Sequence, residues 1–346
     1  MSGAPPAAAA HSTEAASTPW PATVLLSGSD IRRLVTITDA IEVTQQAARE
    51  QAAGPLSAAP RVGLPGGGTL LMAAASADRG GVAGKIVSIA PENRGAGLAT
   101  IQGLACWFDY TTRRPLLIAD ATAVTALRTG ALSGVATRAL APPGASVLAM
   151  IGSGGQALTQ IQAVAAVRPI KHVRVASLHR ESAERIGEQL GTVLPDLDVC
   201  ICEGLARAVA EADIVCLATT ARSALIEAGD LSPEVHVNAA GAYRPDMREV
   251  GTSVFAAATL VCSDDAAGAL REAGDLMDAV AAGVLPPASV TELGALPGLG
   301  AGPPAGRRGV TVFKSVGSAA ADLAVLDLLF RRATAEPDIP GFDFAG

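Results

Sequence analysis

The chain has 346 residues, a net charge of −7 and a composition that is 49% hydrophobic with only 17% charged side chains. That is long enough for two domains and apolar enough to fill a large core. No run of about 18 uncharged apolar residues marks a membrane-spanning helix, and no basic block marks a surface for nucleic acid or anionic lipid, so a small-molecule partner is expected.

Residues 1–22 are rich in Ala, Pro, Ser and Thr and contain no Lys or Arg, so they lack the basic start of a signal peptide and read as a disordered tail. A short strand is predicted at 24–26 and helices across 30–51, where Ile31, Leu34, Ile37, Ile41 and Val43 recur at helical spacing. Between 61 and 111 the apolar runs 70–72, 82–89 and 104–108 are separated by glycine-rich turns, the pattern of a sheet. A helix over 123–140 is stopped by Pro142-Pro143-Gly144.

From residue 147 strands and helices alternate. Strands are predicted at 147–151, 173–177, 199–202, 214–218 and 235–240, with helices at 157–167, 182–190 and 205–210. Continuous apolar strands joined by crossover helices imply an α/β protein with a parallel sheet covered on both faces. The Gly/Pro-rich stretch 286–308 reads as a surface loop, and 316–330 as a buried helix.

Cys106, Cys200, Cys202, Cys216 and Cys262 form an odd set without Cys-x-x-Cys spacing, which fits a reducing cytoplasm. The four histidines are not grouped with one another or with carboxylates at ligand spacing, and no metal is expected.

The turn Gly152-Ser153-Gly154-Gly155-Gln156-Ala157 directly follows a predicted buried strand and opens a predicted helix. In that context a glycine-rich turn is a dinucleotide-binding signal. Gly152 permits the tight turn, Gly154 and Gly155 let backbone approach a diphosphate, and Gln156 and the small Ala157 start a helix whose N-terminus faces the phosphate charge. The competing reading is a strand–helix turn of another doubly wound fold, such as a methyltransferase. At the end of the second strand an acidic side chain would select NAD by binding the ribose hydroxyls. The chain has Ser177-Leu178-His179-Arg180 there, and Arg180 with His179 can meet a 2′-phosphate, so NADP is favoured over NAD. Alternatively, Arg180 pairs with Glu184 on a helix surface.

Lys85 lies within an otherwise apolar strand, where a charged amine is costly unless paired. Burial would lower its pKa and suit it to proton transfer at a substrate nitrogen; the alternative is a lysine snorkelling from an edge strand. Arg128, among apolar helix neighbours, faces either a cleft or a partner charge such as Asp120.

Gly84-Lys85-Ile86-Val87, Pro91-Glu92-Asn93, Leu127-Arg128-Thr129-Gly130-Ala131, the run Gly241 to Glu249, and Thr311 to Gly317 stand in this order along the chain. Together they resemble the ornithine cyclodeaminase/mu-crystallin family over about residues 22–332. The resemblance implies a Rossmann-type doubly wound parallel sheet, residues 131–315, inserted into a second α+β domain for substrate binding and dimerisation, residues 23–130 plus 316–346. A homodimer is expected. The resemblance further implies that Arg61, Lys85 and Arg128 bind the substrate carboxylate, with Thr100 on the substrate side and Lys85 catalytic. Arg128 and Thr129 would also approach the cofactor, Thr219 and Gly241 would line its nicotinamide side, and Lys314-Ser315 would close over it.

Cyclodeaminases of the family carry an aspartate two residues after the glycine matching Gly241, where this chain has Tyr243. The expected activity is therefore reduction of cyclic imino acids, Δ1-pyrroline-2-carboxylate or Δ1-piperideine-2-carboxylate, to L-proline or L-pipecolate. An alanine dehydrogenase or reductive aminase, a cyclodeaminase, and a non-catalytic NADPH-binding protein are the alternatives.

Overall fold

The computed structural model describes residues 22–64, 68–301 and 308–344, so the predicted tail lies outside the described residues apart from Ala22. The chain opens with strand β1 (Thr23–Leu26) and helices α1 (Gly28–Leu34) and α2 (Ile37–Ala53). Both helices start at capping boxes, Ser27 with Asp30 and Thr36 with Asp39, which satisfy backbone N–H groups that a helix start leaves unpaired. Strands β2 (Ser57–Ala58), β3 (Val62–Gly63), β4 (Thr69–Ser76), β5 (Gly81–Ile89), β6 (Ile101–Asp109) and β7 (Pro115–Asp120) follow. They join β1 and a late strand, β18 (Gly341–Phe342), in a mostly antiparallel sheet with the path β18-β1-β7-β6-β5-β4-β2 and β3 beside β4.

Alternation along these strands sends one set of side chains inward and the other out. On β5, Ala83, Lys85 and Val87 are buried while Ile86 and Ser88 are exposed. The inner face is covered by helix α10 (Ala319–Ala333), apolar on most sides, in one core with Met72, Trp107, Leu323 and Leu326.

Helix α3 (Ala121–Leu140) leaves this sheet and leads to the second one. There β8 (Val147–Ile151), α4 (Ala157–Val167), β9 (His172–Ala176), α5 (Arg180–Val193), β10 (Asp198–Ile201), α6 (Leu205–Val209) and β11 (Ile214–Leu217) alternate as predicted. A two-stranded ribbon, β12 (Arg222–Ile226) with β14 (Arg248–Val250), flanks β13 (Val235–Ala239) in sequence. The remainder comprises α7 (Thr252–Ala257), β15 (Ala258–Ser263), α8 (Ala266–Glu272), α9 (Gly274–Ala281), β16 (Val290–Glu292) and β17 (Val310–Lys314). All eight strands of this sheet run parallel, in the order β10-β9-β8-β11-β13-β17-β15-β16. Chain direction across the sheet reverses between β8 and β11, the switch point at which doubly wound folds form a ligand crevice.

The sheets confirm the α/β reading, with additions and one correction. Strands β7, β15 and β17 are among the elements beyond the sequence reading; β17 is wholly buried yet ends in Lys314, which breaks its apolar run. The predicted surface loop over 286–308 is instead partly structural. Its residues 290–292 are an edge strand, and Leu293, Leu296 and Leu299, three residues apart, are buried in the core that contains α2. Glycine content masked that apolar spacing. Residues 302–307 of the predicted loop lie outside the described residues.

Candidate active site

The glycine turn sits at the switch point. Gly152 has φ +101°, a left-handed conformation strained for other residues, and a Cβ there would stand 2.7 Å from the Ala218 carbonyl oxygen. Its N–H donates to Ala176 O at 2.8 Å, tying the turn to the end of β9. At Gly154 and Gly155 nothing lies within 4 Å of where a Cβ would be. Helix α4 then begins at the buried Ala157 with Gln156 as N-cap; no side chain caps its N–H groups, and Gln156 Oε1 is buried without a partner. Open space around the glycine backbone and an uncapped helix start fit the diphosphate of a dinucleotide.

Helix α3 reaches this turn because it lacks bulk where it crosses α4. A Cβ on Gly130 would stand 2.6 Å from Thr159 O, and one on Gly134 would meet Ile41 and Ala163. Thr129, which directly precedes the crossing glycine, is buried. The Thr129 hydroxyl donates to Thr125 O at 2.7 Å, back along its own helix.

Beyond β9, Ser177 Oγ accepts from Ser153 Oγ at 2.7 Å and from His179 N at 3.3 Å. His179 and Arg180 are exposed. Arg180 Nε pairs with Glu184 at 2.8 Å, the alternative weighed from sequence, and its Nη1 lies 3.4 Å from Glu203. A carboxylate absent from the end of β9 is thus supplied by the residue that follows β10 by two positions.

The ends of β11 and β13 are joined by one buried side chain. Glu249 accepts from Thr219 N at 2.6 Å, Gly241 N at 2.7 Å and Ala242 N at 3.1 Å. Gly241 must lack a side chain, since a Cβ would collide with Thr219 and Glu249 themselves. Burial pushes the Glu249 carboxyl pKa up, opposed by the Lys314 ammonium and the backbone donors. Lys314 does not join the cleft: fully buried, it pairs with Asp275 at 3.0 Å. Ser315 Oγ donates to Asp264 Oδ2 at 2.6 Å, and Asp264 also accepts from Val316 N and Gly317 N, each at 3.0 Å, so this aspartate organises the turn into α10.

Arg61, Lys85 and Arg128 meet in one buried cluster. Lys85 Nζ, fully enclosed, donates to Asp322 Oδ1 at 2.5 Å, and Arg128 Nε lies 3.2 Å from the same oxygen. Arg128 therefore pairs with Asp322 of α10 and not with Asp120, which instead caps α3 by accepting from Thr122 N at 2.8 Å. Its guanidinium packs on Gly317, where a Cβ would stand 3.1 Å from Nη1. Arg61 crosses from the first sheet to the second: it donates to the carbonyls of Val316 and Tyr243, pairs with Glu272, and lies 5.9 Å from the Tyr243 ring centroid. These contacts put the cations at the C-terminal ends of β13 and β17, where ligands bind in doubly wound sheets.

Burial, the Arg128 charge and the Arg61 charge depress the Lys85 pKa from 10.5 to about 7 against the pull of Asp322. Burial likewise lowers that of Arg61. Asp322 and Glu272 are the direct counter-charges of the three cations, and Asp264 and Asp265 act on Arg61 from further off. Thr100 stays apart. It precedes β6, its carbonyl accepts from Ala90 N at 2.8 Å, and it is roughly 16 Å along the strand from Ala105, the register partner of Lys85.

Sequence reasoning missed Asp322, Glu249, Asp264 and Glu272, the carboxylates that hold the expected residues. Asp322 had one usable signal: it is an acid in a helix otherwise apolar on most sides.

A model of the ornithine cyclodeaminase/mu-crystallin family matches residues 22–336. The chain is 34% identical over 318 residues to a Δ1-pyrroline-2-carboxylate reductase of Bacillus cereus, covering 90% of this chain and 96% of that protein. It resembles the solved Thermococcus litoralis Δ1-pyrroline-2-carboxylate reductase in complex with NADH and L-proline, with a TM-score of 0.85 and 30% identity over 90% of this chain and 98% of that one. An archaeal alanine dehydrogenase dimer with bound NAD aligns with a TM-score of 0.84 and 26% identity, covering 93% and 99% of the two chains.

Proposed function

The chain belongs to the ornithine cyclodeaminase/mu-crystallin family, and from that membership and its cleft we propose that it is a nicotinamide-dependent reductase of cyclic imino acids, converting Δ1-pyrroline-2-carboxylate, or its six-membered homologue, to L-proline or L-pipecolate. In this reading residues 23–130 with 316–346 form the substrate and dimerisation unit, and residues 131–315 the dinucleotide unit. The observation that carries it is the buried Lys85 ammonium flanked by Arg128 and Arg61, three cations gathered in one enclosed cluster.

A bound nicotinamide supplies the hydride. What the chain supplies is placement and a proton. The guanidiniums of Arg61 and Arg128 take the substrate carboxylate, fixing the ring in the cleft and offsetting the carboxylate's desolvation. Lys85, titrating near neutrality, gives a proton from Nζ to the imine nitrogen as the adjacent carbon is reduced. Tyr243, in place of the cyclodeaminase aspartate, leaves no carboxylate at that position to assist ammonia release.

The phosphate end favours NADPH over NADH: Arg180 exchanges Glu184 and Glu203 for the 2′-phosphate, a stronger partner than a solvent-exposed carboxylate. A second copy of the chain is proposed on the outer face of the first sheet, where Val62, Leu71, Ile86 and Leu104 align in register across β3 to β6, three of them more than half exposed. The solved alanine dehydrogenase relative is a dimer.

The test is oxidation of NADPH and NADH followed with Δ1-pyrroline-2-carboxylate, Δ1-piperideine-2-carboxylate, and pyruvate with and without ammonia. Turnover of the cyclic imines without ammonia is expected. Turnover confined to pyruvate plus ammonia would replace the reading with an alanine dehydrogenase, and cofactor binding without any turnover would make the chain a binding protein.

A further inference from the structure

Two buried cations share one carboxylate oxygen. Asp322 Oδ1 is in contact with both Lys85 and Arg128, while Oδ2, equally buried, has no hydrogen-bond partner among the described residues. A buried ion triad is a poor stability device, because apolar side chains of similar size often serve as well or better, and an orphaned oxygen adds a further cost. The arrangement is better explained by what it does to the lysine.

Charges face Lys85 from three separate elements. Helix α10 presents Asp322 and helix α3 presents Arg128. The segment before β3 presents Arg61, whose own neighbours are Glu272 of α8 and, within electrostatic reach, Asp264 and Asp265. The flanking strands place Met72 and Ala105 at the register positions, neither of which carries charge. Asp322 is thus the carboxylate that touches the amine; enclosure and both guanidiniums push the other way, toward the neutral form.

We propose that Asp322 is a positioning residue whose carboxylate keeps the Lys85 amine protonated and aimed, so that the lysine meets the bound imine as an acid. The proposal deepens the reductase reading, which requires such a donor. In the step itself an Nζ–H bond of Lys85 breaks as an N–H bond forms on the substrate nitrogen; the electron pair of the new C–H bond comes as hydride from the reduced nicotinamide, and the amine regains its proton from water. Asp322 touches neither substrate nor cofactor and exchanges no proton. Its effect is on the charge and direction of Lys85 alone.

The chain has three lysines, Lys85, Lys171 and Lys314, so the site can be titrated directly. Protein labelled with 13C at lysine Cε is followed by NMR against pH, with the Lys85 signal assigned by its loss in Lys85→Met. In Asp322→Asn the Lys85 midpoint is expected to fall by about one unit or more while Lys171 is unmoved. The alkaline limb of kcat/KM for imine reduction should shift by the same amount. A Lys85 midpoint unchanged from wild type overturns the proposal whatever the substrate proves to be. A shifted midpoint in a protein that reduces no cyclic imine leaves the charge-holding role standing and overturns only the reductase reading. If Asp322→Asn does not fold, Asp322→Glu carries the test. It keeps the charge and misplaces it, so the midpoint should stay within about half a unit while kcat falls about tenfold at little-changed KM; a fallen midpoint or an unchanged kcat overturns the proposal.

Discussion

Glu249 and Gly241 lie eight residues apart and are joined at 2.7 Å, the carboxylate of one accepting the backbone N–H of the other at the mouth of the cleft. Because the same carboxylate also accepts from Thr219 and Ala242, it fixes the spacing of two strand ends that a nicotinamide ring would contact. Glu249→Ala leaves these donors without their acceptor. Each buried N–H left unpaired costs about 1–3 kcal/mol, so chemical denaturation should show a loss of at least about 2 kcal/mol, together with weaker cofactor binding by fluorescence titration. Stability within about 0.5 kcal/mol of wild type would mean that water replaces the carboxylate.

Removing the amine at the centre of the cluster separates chemistry from binding. Lys85→Met should abolish imine reduction while nicotinamide binding stays measurable; full activity in that variant would reject Lys85 as the proton donor. In the wild type the donor must be protonated, and its pKa is lowered to about 7. The reductive rate is therefore expected to be highest below pH 7 and to fall about tenfold per unit above it. A rate that climbs through pH 8 and 9 is the contrary outcome.

Cofactor choice is predicted to rest on Arg180. With Arg180→Ala the KM for NADPH should rise about tenfold or more, the loss of a charge-assisted phosphate contact, while that for NADH changes little. Equal effects on the two cofactors in steady-state assays would show that Arg180 remains with Glu184 and Glu203.

The crossing of α3 over α4 is expected to tolerate no added carbon. In Gly130→Ala the new methyl would sit 2.6 Å from Thr159 O, a backbone atom that cannot step aside cheaply. Overpacking of this kind costs about 1–3 kcal/mol. A thermal melt should report the destabilisation, and cofactor titration a weaker complex, since the displaced helices frame the glycine turn.

The outer face of the first sheet is open to a direct assay of assembly. Leu104→Asp puts a charge at the β6 end of the aliphatic row, on its most exposed member, and should convert a dimer to monomers in sedimentation equilibrium, with the fold retained by circular dichroism. A wild-type chain that sediments as a monomer at micromolar concentration removes the dimer from the proposal.

Much of the second sheet was legible because each strand from Val147 to Ala239 is short, apolar and bounded by a helix of separate periodicity. The turn at Gly152 was legible for the same reason: it stands between two such segments. Strand β17 was harder, since Thr311 and Lys314 interrupt its run and its neighbours in the sheet, β13 and β15, lie far back in the chain. The site divided along similar lines. Lys85 drew attention as a charge among apolar residues, but its partner Asp322 is 237 residues away, and nothing in local spacing links the two. Glu249, Asp264 and Glu272 bind backbone or arginine across the fold, and a carboxylate of that kind looks in sequence like any solvated one. Arg180 was open to both a 2′-phosphate and Glu184 from the sequence, and the Glu184 pair four residues on is the one local helical geometry supplies.

Helix α10 covers β4, β5 and β6 yet lies far downstream of them in the chain, so it is synthesised well after they are. Until then the inward side of an early-made sheet, with Met72 and Trp107, lies open to water and to chaperones, and the ammonium of Lys85 has no counter-ion. Lys85 is consequently enclosed in the same event that completes the core, so a truncated or stalled product would carry the lysine without its ion pair.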